Sequence, residues 1–211
     1  PPCRTGKTQP GQPVNVDFPS AIAVQDIPNI PADQLRALVD VHPRGNPHYW
    51  IPPDNALAVT RLLVKRFTAL DPAGGALFEA RARDFAVRLQ KKGAEWSKRA
   101  GGLKGQKVVT YHRSWSYVAR WLGLEEVGYI EPKPGIPPTA NHTAQLIQFM
   151  KQQGVKLIIE ESFYPSSLAS IIARQTGTRV VSLPSDVGAT SDIRSYFDLL
   201  DTIVTTLTAG K

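Results

Sequence analysis

The chain holds four histidines, and two of them stand where sequence spacing could make them ligands. His48 lies in the run Asn46-Pro47-His48-Tyr49-Trp50-Ile51-Pro52-Pro53, where proline on both sides restricts the backbone and holds the imidazole on a rigid segment. His112 follows the β-branched stretch 108–111, Glu160 and Glu161 close the apolar stretch 155–159, and Asp186 follows the stretch 179–183. With those stretches as parallel strands of one sheet, an imidazole and several carboxylates gather along one edge, a donor set for a hard or borderline divalent metal. Taken singly, each group also has a plainer role. A histidine after a strand is commonly a hydrogen-bonded surface or core residue, and a buried carboxylate is usually paired. His42 fits the turn at Pro43-Arg44-Gly45, and His142 fits a helix start at which Asn141 is the expected cap.

The elements that must position these groups follow from periodicity. After residue 105 the chain alternates strand and helix four times: strands at 108–111, 127–130, 155–159 and 179–183, helices at 114–124, 139–153, 165–175 and 191–207. Such alternation implies right-handed crossovers and a four-stranded, mainly parallel sheet with helices on both faces, an α/β fold. Sheets of this kind take ligands at the carboxyl ends of their strands. Upstream, Asp54 is the expected N-cap of a helix carrying Ala58, Val59, Leu62, Leu63 and Phe67 on one stripe. The segment Asp71-Pro72-Ala73-Gly74-Gly75 interrupts it. From Ala76, the positions Phe78, Ala82, Phe85, Leu89 and Trp96 recur at helical spacing, which predicts an amphipathic helix of about six turns ending before Gly101. The opening residues 1–34 are rich in proline and read as loop, with a minor strand expected around 21–24.

Composition narrows the function classes. The 211 residues are 42% hydrophobic and include a single cysteine, Cys3, so an intramolecular disulfide and a thiolate zinc finger are both excluded. No apolar run approaches the roughly 18 residues of a spanning helix. The net charge of +7 would suit nucleic acid, but the basic residues concentrate in 64–107, interleaved with Glu79, Asp84 and Glu95, and no aromatic platform accompanies them. That pattern is a solvated helix face, and no nucleic-acid partner is expected. The glycine-rich segment Gly101-Gly102-Leu103-Lys104-Gly105-Gln106-Lys107 precedes its strand instead of following one, against a phosphate loop. Ser114, His112 and Asp186 supply the residue types of a hydrolase triad, yet no serine has a nucleophile-elbow setting.

Several motifs together resemble one family, the cluster A-I substrate-binding proteins of bacterial ABC transporters for zinc and manganese. The run Gly45 through Pro53 resembles the family's D/N-P-H-x-W-L-D-P signature, with Pro52 where Asp is common. Tyr111 through Leu124 is similar to F-H-D-A-F-G-Y-F-A-x-x-Y-G-L, and the resemblance continues through 136–161, 176–180 and 195–200. It implies two α/β lobes joined by one long helix, with the metal held between them. On that reading residues 1–75 are the remnant of an N-terminal lobe, 76–100 the connecting helix and 101–211 the C-terminal lobe. By motif position, His48 would be a ligand from the N-terminal lobe and His112 and Asp186 ligands from the C-terminal one, with Asp192 near Asp186 and His42 an outside candidate. Glu161 matches a family carboxylate taken as structural.

The resemblance further implies capture of Zn(II) outside the cytoplasmic membrane, in the periplasm or an equivalent space, by a monomer that delivers it to an ABC permease and is not an enzyme. A second imidazole, at a position where manganese members carry Glu, suits zinc. Mn(II) or Fe(II) carriage is the alternative, and a zinc-dependent hydrolase using Glu160 or Glu161 as base is a further one. The family's first histidine ligand and its opening strands have no counterpart here. The expectation is therefore a partial or trimmed chain, without its signal peptide, with its N-terminal lobe incomplete and its metal affinity reduced or lost.

Overall fold

Short β-branched segments separated by amphipathic ones build a single parallel sheet in the computed structural model, which describes residues 16–25, 45–133, 136–164 and 167–209. The strands are β1 (Lys107–Thr110), β2 (Glu125–Tyr129), β3 (Leu157–Glu161) and β4 (Arg179–Leu183). They lie in the order β2-β1-β3-β4, and every neighbouring pair is parallel. The chain thus leaves β1 toward one edge and returns to the other side of β1 for β3. The crevice between the carboxyl ends of β1 and β3 is the topological switch point, where such sheets bind ligands. Pairing of β1 with β2 shifts register between Val108 and Val109, so that Val108 faces Glu126 but Val109 faces Gly128.

Among the described residues the helices are α1 (Pro53–Leu70), α2 (Gly75–Ala100), α3 (Ser116–Leu122), α4 (Ala140–Gln153), α5 (Ser167–Thr176) and α6 (Tyr196–Thr208). They cover both faces of the sheet, because alternate strand residues point to opposite sides. Val108, Leu157, Ile159, Val181 and Leu183 pack against Leu89 and Trp96 of α2, Val118 and Leu122 of α3, and Leu199, Ile203 and Leu207 of α6. On the other face, Val109 and Ile158 pack against Leu146, Ile147 and Met150 of α4 and Ala169 and Ile172 of α5.

At 26 residues, α2 is about 39 Å long. Leu89, Trp96 and Ala100 form its buried stripe, and Trp96 fixes it to α6. The Trp96 indole is fully buried, meets Trp121 edge-on at 6.1 Å, and donates Nε1–H to Asp201 Oδ1 at 2.7 Å. Lys92 and Arg99 pair with the same carboxylate at 3.3 and 3.1 Å. The remaining basic residues of α2 are largely solvent-facing, with Arg83 on Glu79 and Arg88 on Asp84 one turn apart, as expected of a solvated face. Ahead of α2, α1 folds back against it, with Phe67 meeting Phe78 edge-on at 5.7 Å. A Cβ at Gly75 would come within 2.9 Å of Thr68 Cγ2, so a larger residue there would have to displace the Thr68 side chain or part the two helices.

Some element ends differ from expectation. Pro52 is the N-cap of α1 and Asp54 lies inside its first turn, because Pro53 at the first helical position already supplies the fixed φ a helix start needs. Thr139, not Asn141, caps α4, its hydroxyl accepting from the His142 amide at 3.2 Å. The last helix begins at Tyr196 with Ser195 as cap; the preceding residues turn through Gly188 at φ 89°. Residues 18–21 form a 3₁₀ turn where a strand was expected around 21–24. His42 and residues 31–39 lie outside the described residues.

Candidate metal centre

His112 is placed by the sheet. It stands immediately after β1, in extended conformation at φ −117°, as the N-cap of a 3₁₀ turn over Arg113–Trp115. Its Nδ1 donates to a carboxylate oxygen of Glu131, a residue brought alongside by the pairing of β1 with β2, whose ladder continues through Glu131 N to Tyr111 O at 2.9 Å. An ionised carboxylate only accepts, so the proton sits on Nδ1 and Nε2 carries the ring's lone pair.

His48 is placed by its own loop. Asn46 Oδ1 accepts from the His48 amide at 3.0 Å, closing an Asx turn, and from His48 Nδ1 at 2.8 Å. The amide orientation is fixed because Asn46 Nδ2 donates to Arg113 O at 2.7 Å, so Oδ1 is the acceptor and His48 again presents Nε2 as its lone-pair nitrogen. Tyr117 of α3 holds this loop in place: its hydroxyl donates to Asn46 O at 2.9 Å and accepts from Gln25 N at 2.8 Å. Asn46 itself is buried.

The two imidazoles therefore meet across the carboxyl edge of the sheet, ring centroids 5.4 Å apart and planes at 80°. Each has Nδ1 engaged by a second-layer acceptor, the arrangement that orients metal-binding imidazoles and raises their basicity. Glu161 ends β3 on the same face, 1% exposed, and among the described residues neither carboxylate oxygen meets a hydrogen-bond partner. Burial pushes its carboxyl above the usual carboxylate range, opposed by Ser114 and by the His112 imidazole; Ser114 is a close neighbour, but its hydroxyl does not reach hydrogen-bond geometry. Glu160, equally buried, lies on the opposite face by strand alternation. Burial and the surrounding Glu131, Glu160 and Glu161 charges also raise the Tyr111 phenol, whose ring stacks on Tyr164 at 4.1 Å.

Of the three expected ligands the structure brings two together. Asp186 is exposed on the turn after β4, where its carboxylate accepts from Ser185 Oγ at 3.1 Å. Among the described residues no group of three His, Cys, Asp or Glu is assembled to hold a metal ion, so Asp186 does not join the imidazoles: the turn 184–194 carries it outward. His142 caps no site; its Nε2 meets Tyr129 O at 3.2 Å beside β2. Sequence reasoning missed Asn46 and Glu131. The Asn-Pro-His spacing is a local Asx-turn signal that could have revealed the first, whereas Glu131 reaches His112 only through strand pairing.

Residues 8–210 match the family model described as zinc-uptake complex component A, periplasmic. Over 203 residues the chain is 25% identical to the iron-binding protein YfeA of Yersinia pestis, covering 92% of this chain and 63% of that protein. It is 25% identical over 175 residues to the zinc-binding protein AdcA of Streptococcus pyogenes, covering 79% of this chain and 34% of that one. Among solved structures, the substrate-binding protein FpvC of Pseudomonas aeruginosa in complex with Mn2+ superposes with a TM-score of 0.69 at 25% identity, over 78% of this chain and 62% of that one. The chain thus spans less than two thirds of the length of these curated relatives.

Proposed function

Because this chain belongs to the zinc-uptake complex component A family of periplasmic proteins, we propose that it is a metal-binding, solute-capturing component of an ABC transporter and that Zn(II) is its cargo. The observation that carries this reading is the pair His48 and His112, rings 5.4 Å apart with each Nδ1 engaged by a second-layer acceptor. Two neutral imidazoles offering Nε2 suit zinc, a borderline ion for which nitrogen donors are ordinary ligands. The name of AdcA points the same way, while those of YfeA and FpvC mark iron and manganese as the alternatives within the family.

The cargo would be taken up outside the cytoplasmic membrane and passed to a membrane permease. No helix among the described residues is long and apolar enough to cross a membrane, in keeping with a separate permease subunit. The long α2 helix supports the division into a segment before residue 76, a connecting helix and an α/β lobe from residue 101. Calorimetric titration of zinc into the metal-free chain tests the reading. His48→Ala and His112→Ala are expected to lose binding, and Asp186→Ala to weaken it far less. Equal heats for the parent and both histidine variants would remove the assignment.

A further inference from the structure

Glu161 is the one buried acidic group near the imidazole pair that the reading above leaves without a task. Ladder geometry puts it beside His112. In the pairing of β1 with β3, Val108, Val109 and Thr110 face Leu157, Ile158 and Ile159, and the ladder continues with Tyr111 N donating to Ile159 O at 2.8 Å. Two residues further on, that register sets His112 opposite Glu161. The same extrapolation on the β2 side sets His112 opposite Glu131. One rung at the carboxyl edge therefore reads Glu131, His112, Glu161, with the last two on either side of the switch-point crevice. Parity agrees: Val108, Leu157 and Ile159, two or four residues back from these groups, all face the core that also takes Ile51, three residues after His48.

A carboxylate that is 1% exposed with neither oxygen partnered is costly unless a cation answers it. Among the described residues no Lys or Arg donates to it, and the pair of imidazoles next to it supplies no positive charge while neutral. A divalent ion on two neutral imidazoles has the opposite problem, a double positive charge with no anion among its ligands. We propose that Glu161 is the buried countercharge of the metal site, an outer-sphere anion that, with Glu131 on the other side of His112, offsets the charge of a bound divalent cation. This rests on the zinc-binding reading of His48 and His112. It assigns to the metal a residue whose family match had suggested a structural role. It also gives the site a preference for dications over monovalent ions, since two carboxylates flank one imidazole.

The test compares the full chain with Glu161→Gln, Glu161→Asp and His112→Ala, titrating zinc against a competing chromophoric chelator, recording the Co(II) ligand-field spectrum and measuring metal-free melting temperatures. Glu161→Gln, isosteric but uncharged, is expected to weaken zinc by about 10- to 100-fold, the range for loss of an outer-sphere partner. Its Co(II) bands should stay in place and its metal-free melting temperature should match or exceed the parent's. Glu161→Asp keeps the charge and should retain most of the affinity. If Glu161→Gln melts lower yet binds zinc like the parent while His112→Ala loses it, the carboxylate is structural and this proposal falls alone. Displaced Co(II) bands would make Glu161 a direct ligand and overturn the outer-sphere assignment. If the parent and His112→Ala do not differ, the zinc-binding reading itself fails and this proposal with it.

Discussion

The two imidazoles of the candidate site are seated in opposite ways. His48 is held by a residue two positions away, through a neutral amide, in a loop stiffened by prolines and tied down by the Tyr117 hydroxyl. His112 is held by a residue 19 positions away, through a carboxylate that only the sheet brings near. The first seat is made by local sequence and survives as long as the loop does; the second exists only when β1 and β2 are paired. A carboxylate partner also makes its imidazole the stronger donor to a metal. The pair therefore combines a preformed, weaker donor with a stronger one whose geometry reports on the fold.

That contrast can be broken most severely by removing either ring. His112→Ala and His48→Ala should each reduce zinc affinity by more than about a hundredfold, beyond the range for losing an outer-sphere partner, as read by calorimetry. Glu131→Gln makes the His112 seat resemble that of His48, an amide on Nδ1, and should cost about 10- to 100-fold in zinc affinity with little change in melting temperature; an unchanged affinity would mean the carboxylate adds nothing to the amide. Tyr117→Phe loosens only the His48 seat. Loss of its two hydrogen bonds should lower unfolding free energy by about 1–2 kcal/mol in urea titrations and weaken zinc less than Glu131→Gln does.

The smallest effect separates scaffold from site. Burial tends to raise the Asp201 carboxyl, but Trp96, Lys92 and Arg99 outweigh it and hold it below its ordinary value of 3.8. A depressed folded-state value means the stabilisation is present above the unfolded pKa and disappears as pH falls through the folded one. Asp201 is partly exposed, so solvent screening limits the effect. Asp201→Asn should cost about 1 kcal/mol at neutral pH, the gap to the parent closing below about pH 4, with zinc affinity at neutral pH unaffected. A loss of zinc affinity here would show that the α2–α6 seam and the site are coupled.

Much of the architecture was legible because burial on both sheet faces forces alternation that survives in the sequence. Strand β4 and helix α2 lie where β-branched and amphipathic spacing place them, and the helix faces follow from apolar stripes. Ends were less legible: at α1 a proline did the work expected of Asp54, and at α6 the turn through Gly188 delayed the helix by several residues. The candidate ligands His48 and His112 could be found because their chemistry is carried by single residues in recognisable segments. Asp186 could not be judged, since the outward course of residues 184–194 is set by the tertiary fold. Glu161 reads locally as a strand-end carboxylate and Glu131 drew no notice, and nothing short of the β2-β1-β3 order reveals that they flank one imidazole.

The register shift between β1 and β2 has a bearing on how such a centre is assembled. Were the pairing of Val108 with Glu126 continued without interruption, His112 would stand opposite Ile130, and the acidic side chain would overshoot the ring by one position. The extra residue at Val127 re-phases the edge strand so that a carboxylate replaces an isoleucine beside the donor nitrogen, the re-aiming that bulges perform next to functional sites. The identity of the group touching His112 is thus written as a count of residues, and one residue inserted into β2 ahead of Ile130, with the bulge kept, would exchange an ionic partner for an aliphatic one without altering any residue of the site.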